Sequence, residues 1–408
     1  MSGDIILILN AGSSSIKFAV FAVDGEPSVH NLMCDGQFSG IGHAVHFSAL
    51  DGQDQILVDL TLPDGTTHDQ AIARLLVWLD QHYADCTLVA AGHRVVHGGD
   101  RYTSPTVITE TVLDEIRRLI PLAPLHQPHH VNAIVALQKL HPALVQVACF
   151  DTSFHHTNQK VATDFAIPRA MTDAGMRRYG FHGLSYEYIA NAMESVLGSQ
   201  LAEGRVVVAH LGAGASLCAM HRRQSVATTM GFTALDGLPM GRRCGNIDPG
   251  LVLYLMQEKH MSADQISHLL YNECGMLGVS GISDDMRTLL DSPEPNAKEA
   301  VELFVYRINR ELGSLVAALG GLDALIFTAG IGEHAAPIRS MVAAAAAWTG
   351  LEIDQQVNLE VRTTHGSSTC LSPKLAKVSA WVIPTNEDLM IAQHTWQLVL
   401  SHQPTEEA

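Results

Sequence analysis

The sequence predicts an α/β protein with a duplicated domain, and two observations support that prediction. Short apolar runs alternate with helical patterns along the chain, which is typical of the α/β class. Residues 6–20 read ILILNAGSSSIKFAV and residues 206–220 read VVVAHLGAGASLCAM, so one pattern occurs twice, 200 residues apart. A chain of 408 residues is long enough for two to three domains, each with its own core.

Each of these two segments predicts a β-hairpin with a turn of small residues. Apolar runs bounded by Gly and Ser are typical of strands that enter a tight turn. Because such a turn has little side-chain bulk, its backbone N–H groups approach phosphate oxygens closely. Neither segment is a Walker loop or a strand-to-helix GxGxxG turn, and for either segment alone a plain turn is the alternative. The repetition favours one phosphate-binding hairpin in each half.

The remaining elements follow from periodicity, from prolines and from capping residues. Three prolines within residues 121–130 predict a loop there, and Gly198 is expected to end a helix. Asp248 and Pro249 are expected to open a helix, and the segment AGIGEH (329–334) is expected to connect a strand to the next helix. The predicted helices are 72–79, 111–120, 131–140, 185–197, 297–319 and 388–401, and the predicted strands are 88–91, 144–150 and 324–328.

Charge and cysteine content exclude several classes of partner. The net charge of −17, from 25 basic and 42 acidic residues, argues against nucleic acid or an anionic membrane as the main partner. Seven cysteines without a CxxC pair predict reduced thiols in the cytoplasm. The first residues lack the basic region of a signal peptide, and the alanine-rich stretch 341–348 is too short to span a bilayer. We therefore expect a soluble, cytoplasmic protein.

Two arginines and one histidine are candidates for binding an anion. Arg94 follows a predicted buried strand, and both Arg94 and Arg243 are flanked by glycines in apolar segments. An arginine in that setting is suited to bidentate binding of carboxylate or phosphate, although a salt-bridged surface arginine is the alternative for each one. Among 22 histidines, His182 in YGFHG precedes a helix and is the best candidate against a purely structural role.

Two acidic residues follow buried strands. Asp151 and Glu387 are expected at the carboxyl ends of their strands, where open α/β sheets bind ligands. Together with Asn10, these residues offer the oxygen ligands that Mg²⁺ prefers. A turn at Asp151 and a helix cap near Glu387 remain the alternatives.

Taken together, these residues resemble the acetate kinase family, which includes propionate kinases and belongs to the superfamily of sugar kinases, heat-shock chaperone ATPases and actin. The resemblance extends from one end of the chain to the other. The matching motifs, in family order, are NAGSSSIKF (10–18), GHRVVHGG (92–99), LAPLHQP (122–128), FDTSFH (150–155), YGFHG (179–183), HLGAGAS (210–216), GLPMGRRCGNIDPG (237–250), SDDMR (283–287), FTAGIGEH (327–334) and PTNED (384–388).

The resemblance implies duplicated actin-like (ribonuclease H-like) domains with a nucleotide cleft between them. One lobe would comprise residues 1–152 with 389–408, and the other, residues 153–388, would carry the nucleotide loops and the interface of a homodimer. The implied activity is reversible, Mg²⁺-dependent and direct in-line phosphoryl transfer from ATP to acetate, which gives acetyl phosphate and ADP. Mn²⁺ is the alternative metal.

The resemblance also assigns roles to residues. Asn10, Ser13, Ser15 and Lys17 would form the first phosphate loop, and Asn10 with Glu387 would place the metal. Arg94, His182 and Arg243 would hold the phosphoryl group and the acyl carboxylate, with Asp151 completing that site. Val96, Leu125 and Phe181 would line the acyl pocket. The implied nucleotide-binding residues are His210, Leu211, Gly212, Ala213, Gly214, Asp285, Met286, Arg287, Gly330, Ile331, Gly332, Glu333 and His334.

The chemistry suits these residues, because acetate is already a carboxylate at neutral pH and needs cations rather than a base. In a sugar kinase the position of Asn10 usually holds an acidic residue. Several positions depart from the family pattern: Ala213, Ala234, Arg242, Asn246, Met286 and His334. Ala234 leaves propionate or a broader range of short-chain acids open, since one methylene is worth only about 1–3 kcal/mol. A nucleotide-binding regulator without catalysis is a further alternative.

Overall fold

The computed structural model describes residues 3–363 and 366–400. The chain forms two compact units. The N-terminal unit runs to Ser153 and resumes at Asn386, and the C-terminal unit is Phe154–Thr385. Within the described ranges, no helix is both long and apolar enough to cross a membrane.

The strands, in chain order, are β1 (Gly3–Ala11), β2 (Ser15–Val23), β3 (Leu32–Ser39), β4 (His46–Asp51), β5 (Ile56–Thr61), β6 (Cys86–Val95), β7 (Thr106–Val107), β8 (Val145–Phe150), β9 (Arg205–Leu211), β10 (Ala215–His221), β11 (Gln224–Thr228), β12 (Ala324–Thr328), β13 (Thr369–Cys370) and β14 (Ser379–Val382). The helices are α1 (His68–His82), α2 (Glu110–Arg118), α3 (Gln127–Leu140), α4 (Lys160–Thr163), α5 (Arg169–Asp173), α6 (Gly183–Leu197), α7 (Ser199–Ala202), α8 (Pro249–Gln257), α9 (Ala263–His268), α10 (Gly275–Ser280), α11 (Met286–Asp291), α12 (Pro295–Leu319), α13 (Ala329–His334), α14 (Ala336–Ala345), α15 (Gln355–Glu360) and α16 (Glu387–Val399).

The N-terminal unit has one sheet in the order β5-β4-β3-β2-β1-β6-β8-β7. Strand β1 pairs antiparallel with β2 and parallel with β6, and β6 pairs parallel with β8. On one face, Phe18, Phe38, Phe47 and Trp78 form an aromatic cluster. Helix α1 supplies Trp78, because its apolar residues recur at helical spacing and so share one buried face.

The C-terminal unit has one sheet in the order β11-β10-β9-β12-β14-β13. Strand β9 pairs antiparallel with β10 and parallel with β12, and β12 pairs parallel with β14. In each unit a short antiparallel strand, β7 or β13, closes one edge. The order β3-β2-β1-β6-β8-β7 is therefore repeated strand for strand, which confirms the predicted duplicated α/β fold.

Both predicted hairpins are present, but their turns differ in length. In the first hairpin, the last strand pair is Ala11–Ile16, and the Gly12 N–H donates to the Ser15 carbonyl at 2.7 Å. In the second, the last pair is Leu211–Ala215, and the Gly212 N–H donates to the Gly214 carbonyl at 3.0 Å. The first turn is thus one residue longer than the second.

Three local predictions are wrong. Helix α3 begins at Gln127, so the predicted loop ends there, because Pro128 lies in the first turn and costs no helical hydrogen bond. The segment AGIGEH forms helix α13 itself. Strand β6 extends to Val95, so Arg94 lies on the strand and not after it. The predicted helix stop at Gly198 and the helix start at Pro249 are confirmed.

Candidate active site

Arg94 and Asp151 form a buried ion pair at the carboxyl ends of two adjacent parallel strands. Arg94 Nε lies 3.0 and 3.1 Å from the two Asp151 carboxylate oxygens, and Arg94 Nη2 lies 2.6 Å from Oδ2. The Asp151 side chain is 1% exposed and that of Arg94 is 21% exposed. Burial acts to lower the pKa of Arg94, but the charges of Asp151 and Glu387 raise it overall. The guanidinium is therefore a fixed positive charge with one partly open side.

Glu387 approaches the same guanidinium from helix α16. Its Oε2 lies 3.8 Å from Arg94 Nε, and the Asn386 side chain caps the helix by accepting from the Leu389 N–H. Asn10 is half-buried near the end of β1, opposite Lys17. Within the described part of the chain, no group of three or more His, Cys, Asp or Glu side chains could hold a metal. An amide and a carboxylate oxygen fit Mg²⁺, which keeps several waters and few protein ligands.

The polar residues of the first hairpin differ in their surroundings. Ser13 is exposed in the turn, Ser15 is half-buried, and Lys17 lines a cavity of about 350 Å³ together with Asp35 and Asp388. Burial, with the Glu387 charge beside it, raises the pKa of Asp388 to about 6. The structure thus sets Lys17 beside carboxyl groups and not in the turn itself.

Two histidines that the sequence did not single out hold this region. His68 at the start of α1 donates from Nε2 to the Gly12 carbonyl at 2.8 Å and so fixes the first turn. His130 Nδ1 accepts from the Val96 N–H at 3.1 Å, two residues beyond Arg94. Burial lowers the pKa of His130, so it remains a neutral acceptor. No motif predicted these contacts, because each joins residues that are distant in sequence.

The predicted acyl-pocket residues differ in exposure. Val96 is 3% exposed and Phe181 is 1% exposed, whereas Leu125 is 38% exposed. The Phe181 carbonyl accepts from His155 Nε2 at 3.0 Å. Val96 and Leu125 belong to the N-terminal unit and Phe181 to the C-terminal unit.

His182 occupies a strained position at the start of α6. Its φ of 59° is in the left-handed region, which costs a non-glycine residue on the order of 1 kcal/mol and is typical of functional sites. Its Nδ1 lies 2.8 Å from Ser216 Oγ, and its ring stacks on His210 with 4.1 Å between centroids. His210 Nδ1 in turn lies 2.8 Å from Ser185 Oγ.

Arg243 and His182 meet at the second hairpin turn. A Cβ atom on Gly214 would lie 3.1 Å from His182 Nε2 and 4.0 Å from Arg243 Nη1. Arg243 Nη1 donates to the Ala234 carbonyl at 3.0 Å, which orients the guanidinium. Glycine at position 214 therefore brings the backbone of the second turn against both side chains.

The second turn also borders a cavity of about 480 Å³ in the C-terminal unit. Eight predicted nucleotide-binding residues line it: Gly212, Ala213, Asp285, Met286, Arg287, Gly330, Ile331 and His334. The sequence did not single out five further lining residues, which are Asp284, Leu290, Asp291, Ala335 and Pro337. Five other predicted residues adjoin the cavity along the chain in β9, the second turn and α13: His210, Leu211, Gly214, Gly332 and Glu333.

A buried arginine secures helix α13 at this cavity. Arg339 is 1% exposed and donates from Nη1 to the carbonyls of Gly332 and Glu333 at 2.9 and 2.7 Å. Its Nε donates to Asn358 Oδ1, and burial lowers its pKa to about 10. These bonds satisfy carbonyls at the end of a short helix, which sequence reasoning missed.

An ion pair connects the loop that carries Arg243 to the rim of the cavity. Arg242 Nε donates to Asp284 Oδ2 at 2.6 Å, and the Gly241 N–H donates to the Ala213 carbonyl at 3.2 Å. Arg242 and Asp284 are 56% and 41% exposed. Arg242, a departure from the family pattern, thus neutralises a carboxylate that lines the cavity.

Known proteins resemble this chain over nearly its whole length. The Acetokinase family model matches residues 5–393. The chain is 58% identical to an acetate kinase of Rhodopseudomonas palustris (strain TIE-1), covering 97% of this chain and 98% of that protein. It is 46% identical to an acetate kinase of Methylocella silvestris, with the same coverage.

Two solved structures have the same fold. A propionate kinase from Francisella tularensis aligns with a TM-score of 0.87 and 35% identity, covering 97% of this chain and all of that one. An acetate kinase from Porphyromonas gingivalis aligns with a TM-score of 0.85 and 33% identity, with the same coverage.

Proposed function

This chain belongs to the acetokinase family, and we propose that it catalyses reversible phosphoryl transfer from ATP to acetate, giving acetyl phosphate and ADP. The observation that carries the proposal is the convergence of His182 and Arg243 on Gly214, beside a cavity lined by eight predicted nucleotide-binding residues. A glycine turn with two potential donors beside it is suited to a phosphoryl group that is in transfer.

The acceptor needs no general base. Acetate has a pKa near that of Asp and is ionised at neutral pH, so one of its oxygens attacks the γ-phosphorus directly. The bond from the γ-phosphorus to the bridging oxygen breaks, and ADP leaves with that oxygen. We propose that Arg94, His182 and Arg243 hold the phosphoryl group and the carboxylate, with Asp151 fixing the orientation of Arg94.

We propose that the residues around the first hairpin bind the metal and contact the phosphates. Asn10 and Glu387 would hold Mg²⁺ or Mn²⁺, which supplies charge neutralisation on the phosphates. Ser13, Ser15 and Lys17 would contact phosphate oxygens near the metal. Removal of divalent cations by EDTA should abolish turnover, and added Mg²⁺ should restore it.

A hydroxamate assay, which traps acyl phosphate, tests the activity directly. We expect the wild type to form acetyl phosphate from acetate and ATP. We expect Arg243→Ala to lower turnover by roughly two orders of magnitude or more, with little change in ATP binding. Arg223→Ala is the matched control, because Arg223 is an exposed arginine that pairs with Glu194 and Glu203. Near-normal turnover of Arg243→Ala would exclude the proposed role of Arg243.

Propionate is the second candidate acceptor. Ala234 supplies the carbonyl that orients Arg243, and its side chain is smaller than the proline common in the family. The same assay with acetate, propionate and butyrate decides between the acids. Tight ADP binding without any acyl phosphate would instead indicate a nucleotide-binding regulator. Trials with ATP, GTP and pyrophosphate identify the phosphate donor.

We further propose a cytoplasmic homodimer. Helix α8 exposes Leu251, Leu253, Tyr254 and Met256 by 46–54%, and none of its nine residues is buried. A helix that is apolar on all sides is usually covered, and a second copy of this chain would cover it. Sedimentation should give a dimer that Leu253→Glu dissociates, and a monomeric wild type would exclude this. All seven cysteines are free thiols, as in a reducing compartment.

A further inference from the structure

Three buried polar side chains form a hydrogen-bonded chain that ends on His182. The Tyr186 hydroxyl lies 2.5 Å from Ser216 Oγ, and Ser216 Oγ lies 2.8 Å from His182 Nδ1. Tyr186 and Ser216 are 0% exposed, and His182 is 9% exposed. Helix α6 carries Tyr186 one turn beyond His182, and strand β10 carries Ser216 immediately after the second hairpin turn.

The direction of the hydrogen bonds from Tyr186 through Ser216 to His182 follows from counting donors and acceptors. Burial raises the pKa of Tyr186, so its hydroxyl keeps a proton that needs an acceptor. Within the described residues, Ser216 Oγ is the hydrogen-bond partner of that hydroxyl, so Tyr186 donates to Ser216. The single proton of Ser216 is then donated to His182 Nδ1, which must be an unprotonated acceptor.

We propose that Tyr186 and Ser216 are positioning residues that keep His182 neutral with its proton on Nε2; the consequence for catalysis rests on the proposed kinase function. The opposite tautomer, or the imidazolium, would donate from Nδ1 to Ser216. Ser216 would then either donate to Tyr186 and leave the phenol proton buried without an acceptor, or accept from both side chains and leave its own proton without one; either arrangement is costly.

The assigned tautomer presents a donor where the proposed reaction needs one. The Nε2 edge of His182 faces the second turn, 3.1 Å from the position of a Cβ atom on Gly214. The stacked His210 ring, fixed through its own Nδ1 by Ser185, holds the plane of the His182 ring. His182 therefore donates an N–H from Nε2 toward a phosphoryl oxygen without changing its own protonation state.

Nitrogen NMR of the full-length protein with ¹⁵N-labelled histidine tests the tautomer independently of activity. The His182 signals are assigned by their loss in His182→Gln, and we expect an unprotonated Nδ1 and a protonated Nε2 at neutral pH. Tyr186→Phe and Ser216→Ala should each give a mixture of the two His182 tautomers. Ser225→Ala is the matched control, because it removes an equally long buried Ser–His bond, to His155, and should leave the His182 signals unchanged.

Two spectroscopic results would overturn the proposal. One is a wild-type His182 that is protonated on Nδ1, and the other is an unchanged His182 pattern in both Tyr186→Phe and Ser216→Ala. If Ser216→Ala does not bind ADP and melts early, Tyr186→Phe alone decides, because it removes only a hydroxyl from the helix side.

Kinetics supply a second readout. Ser216→Ala should lower kcat about tenfold, the scale of one hydrogen bond, with the KM for ATP unchanged. The double variant Tyr186→Phe/Ser216→Ala should be no slower than Ser216→Ala, since Tyr186 acts through Ser216. Additive losses would contradict that order. If the wild type makes no acetyl phosphate, the proposed function fails, and the NMR result still decides the tautomer.

Discussion

The Arg94–Asp151 ion pair allows a prediction whose size follows from the structure. The change Asp151→Asn preserves shape but replaces one carboxylate oxygen by an NH₂ group that faces a guanidinium. Three short donor–acceptor distances, of 2.6 to 3.1 Å, depend on that carboxylate. Arg94 would then retain a buried charge with the Glu387 carboxylate 3.8 Å away.

The loss of unfolding free energy expected for Asp151→Asn depends on the burial of the ion pair and on the groups that replace the lost contact. Removing one partner of a fully buried ion pair costs about 3–5 kcal/mol. Because one-fifth of the Arg94 side chain is exposed and Glu387 is nearby, water and that carboxylate replace part of the loss. We therefore expect a loss of about 2–3 kcal/mol in the free energy of unfolding. Turnover should fall about 10- to 100-fold as Arg94 loses its fixed orientation.

Urea unfolding and the hydroxamate assay measure the two effects on the same protein. Asp323→Asn is the matched control, because Arg205 and Asp323 have similar geometry but are 39% and 30% exposed. That control should shift the unfolding midpoint little and leave turnover intact. If Asp151→Asn matches the control in both measurements, Arg94 is not oriented by Asp151, and the assignment of this pair to the active site is wrong.

Two further predictions concern the cavity beside the second hairpin turn and the pH dependence of stability. Arg242→Ala should change stability by less than about 1 kcal/mol, because the pair is exposed, but should raise the KM for ATP severalfold at low salt. Adding Asp284→Asn should reverse that rise, and a KM that stays normal in Arg242→Ala would contradict the charge argument. Burial lowers the pKa of His155 to about 4, so the unfolded chain takes up a proton below pH 6.5 that the folded chain does not. Stability from this group is complete above pH 6.5 and is lost as the pH falls toward 4, and His155→Gln should flatten the decline by up to about 1.4 kcal/mol per pH unit. Equal slopes for the two proteins would contradict the assignment.

The sequence predicted what depends on local pattern and missed what depends on distant contacts. Strand β12, the C-terminal end of α6 and the start of α8 were predictable because a short apolar run, Gly198 and Pro249 each act locally. The grouping of Ala213, Met286 and Ile331 around one cavity was reached only through the family resemblance. His68 and His130 escaped detection, because each bonds to a backbone group remote in sequence, and backbone groups leave no trace in residue identity. Arg339 bonds to carbonyls only seven and six residues away, but those carbonyls are likewise invisible in the residue pattern.

The one-residue difference between the two turns changes how the repeated segments correspond. In the sequence the repeat has an offset of 200, which relates Lys17 to Leu217. In the sheets, however, the cross-strand partner of Asn10 is Lys17, whereas the cross-strand partner of His210 is Ser216. The shorter turn therefore brings Ser216, a small hydroxyl residue, to the place that Lys17 occupies in the first hairpin. Lys17 places a positive charge there, in a cavity that it lines together with Asp35 and Asp388. The buried Ser216 instead connects Tyr186 to His182 through two hydrogen bonds. The two hairpins share one fold, and the shorter turn of the second places Ser216 at the position from which it bonds to His182.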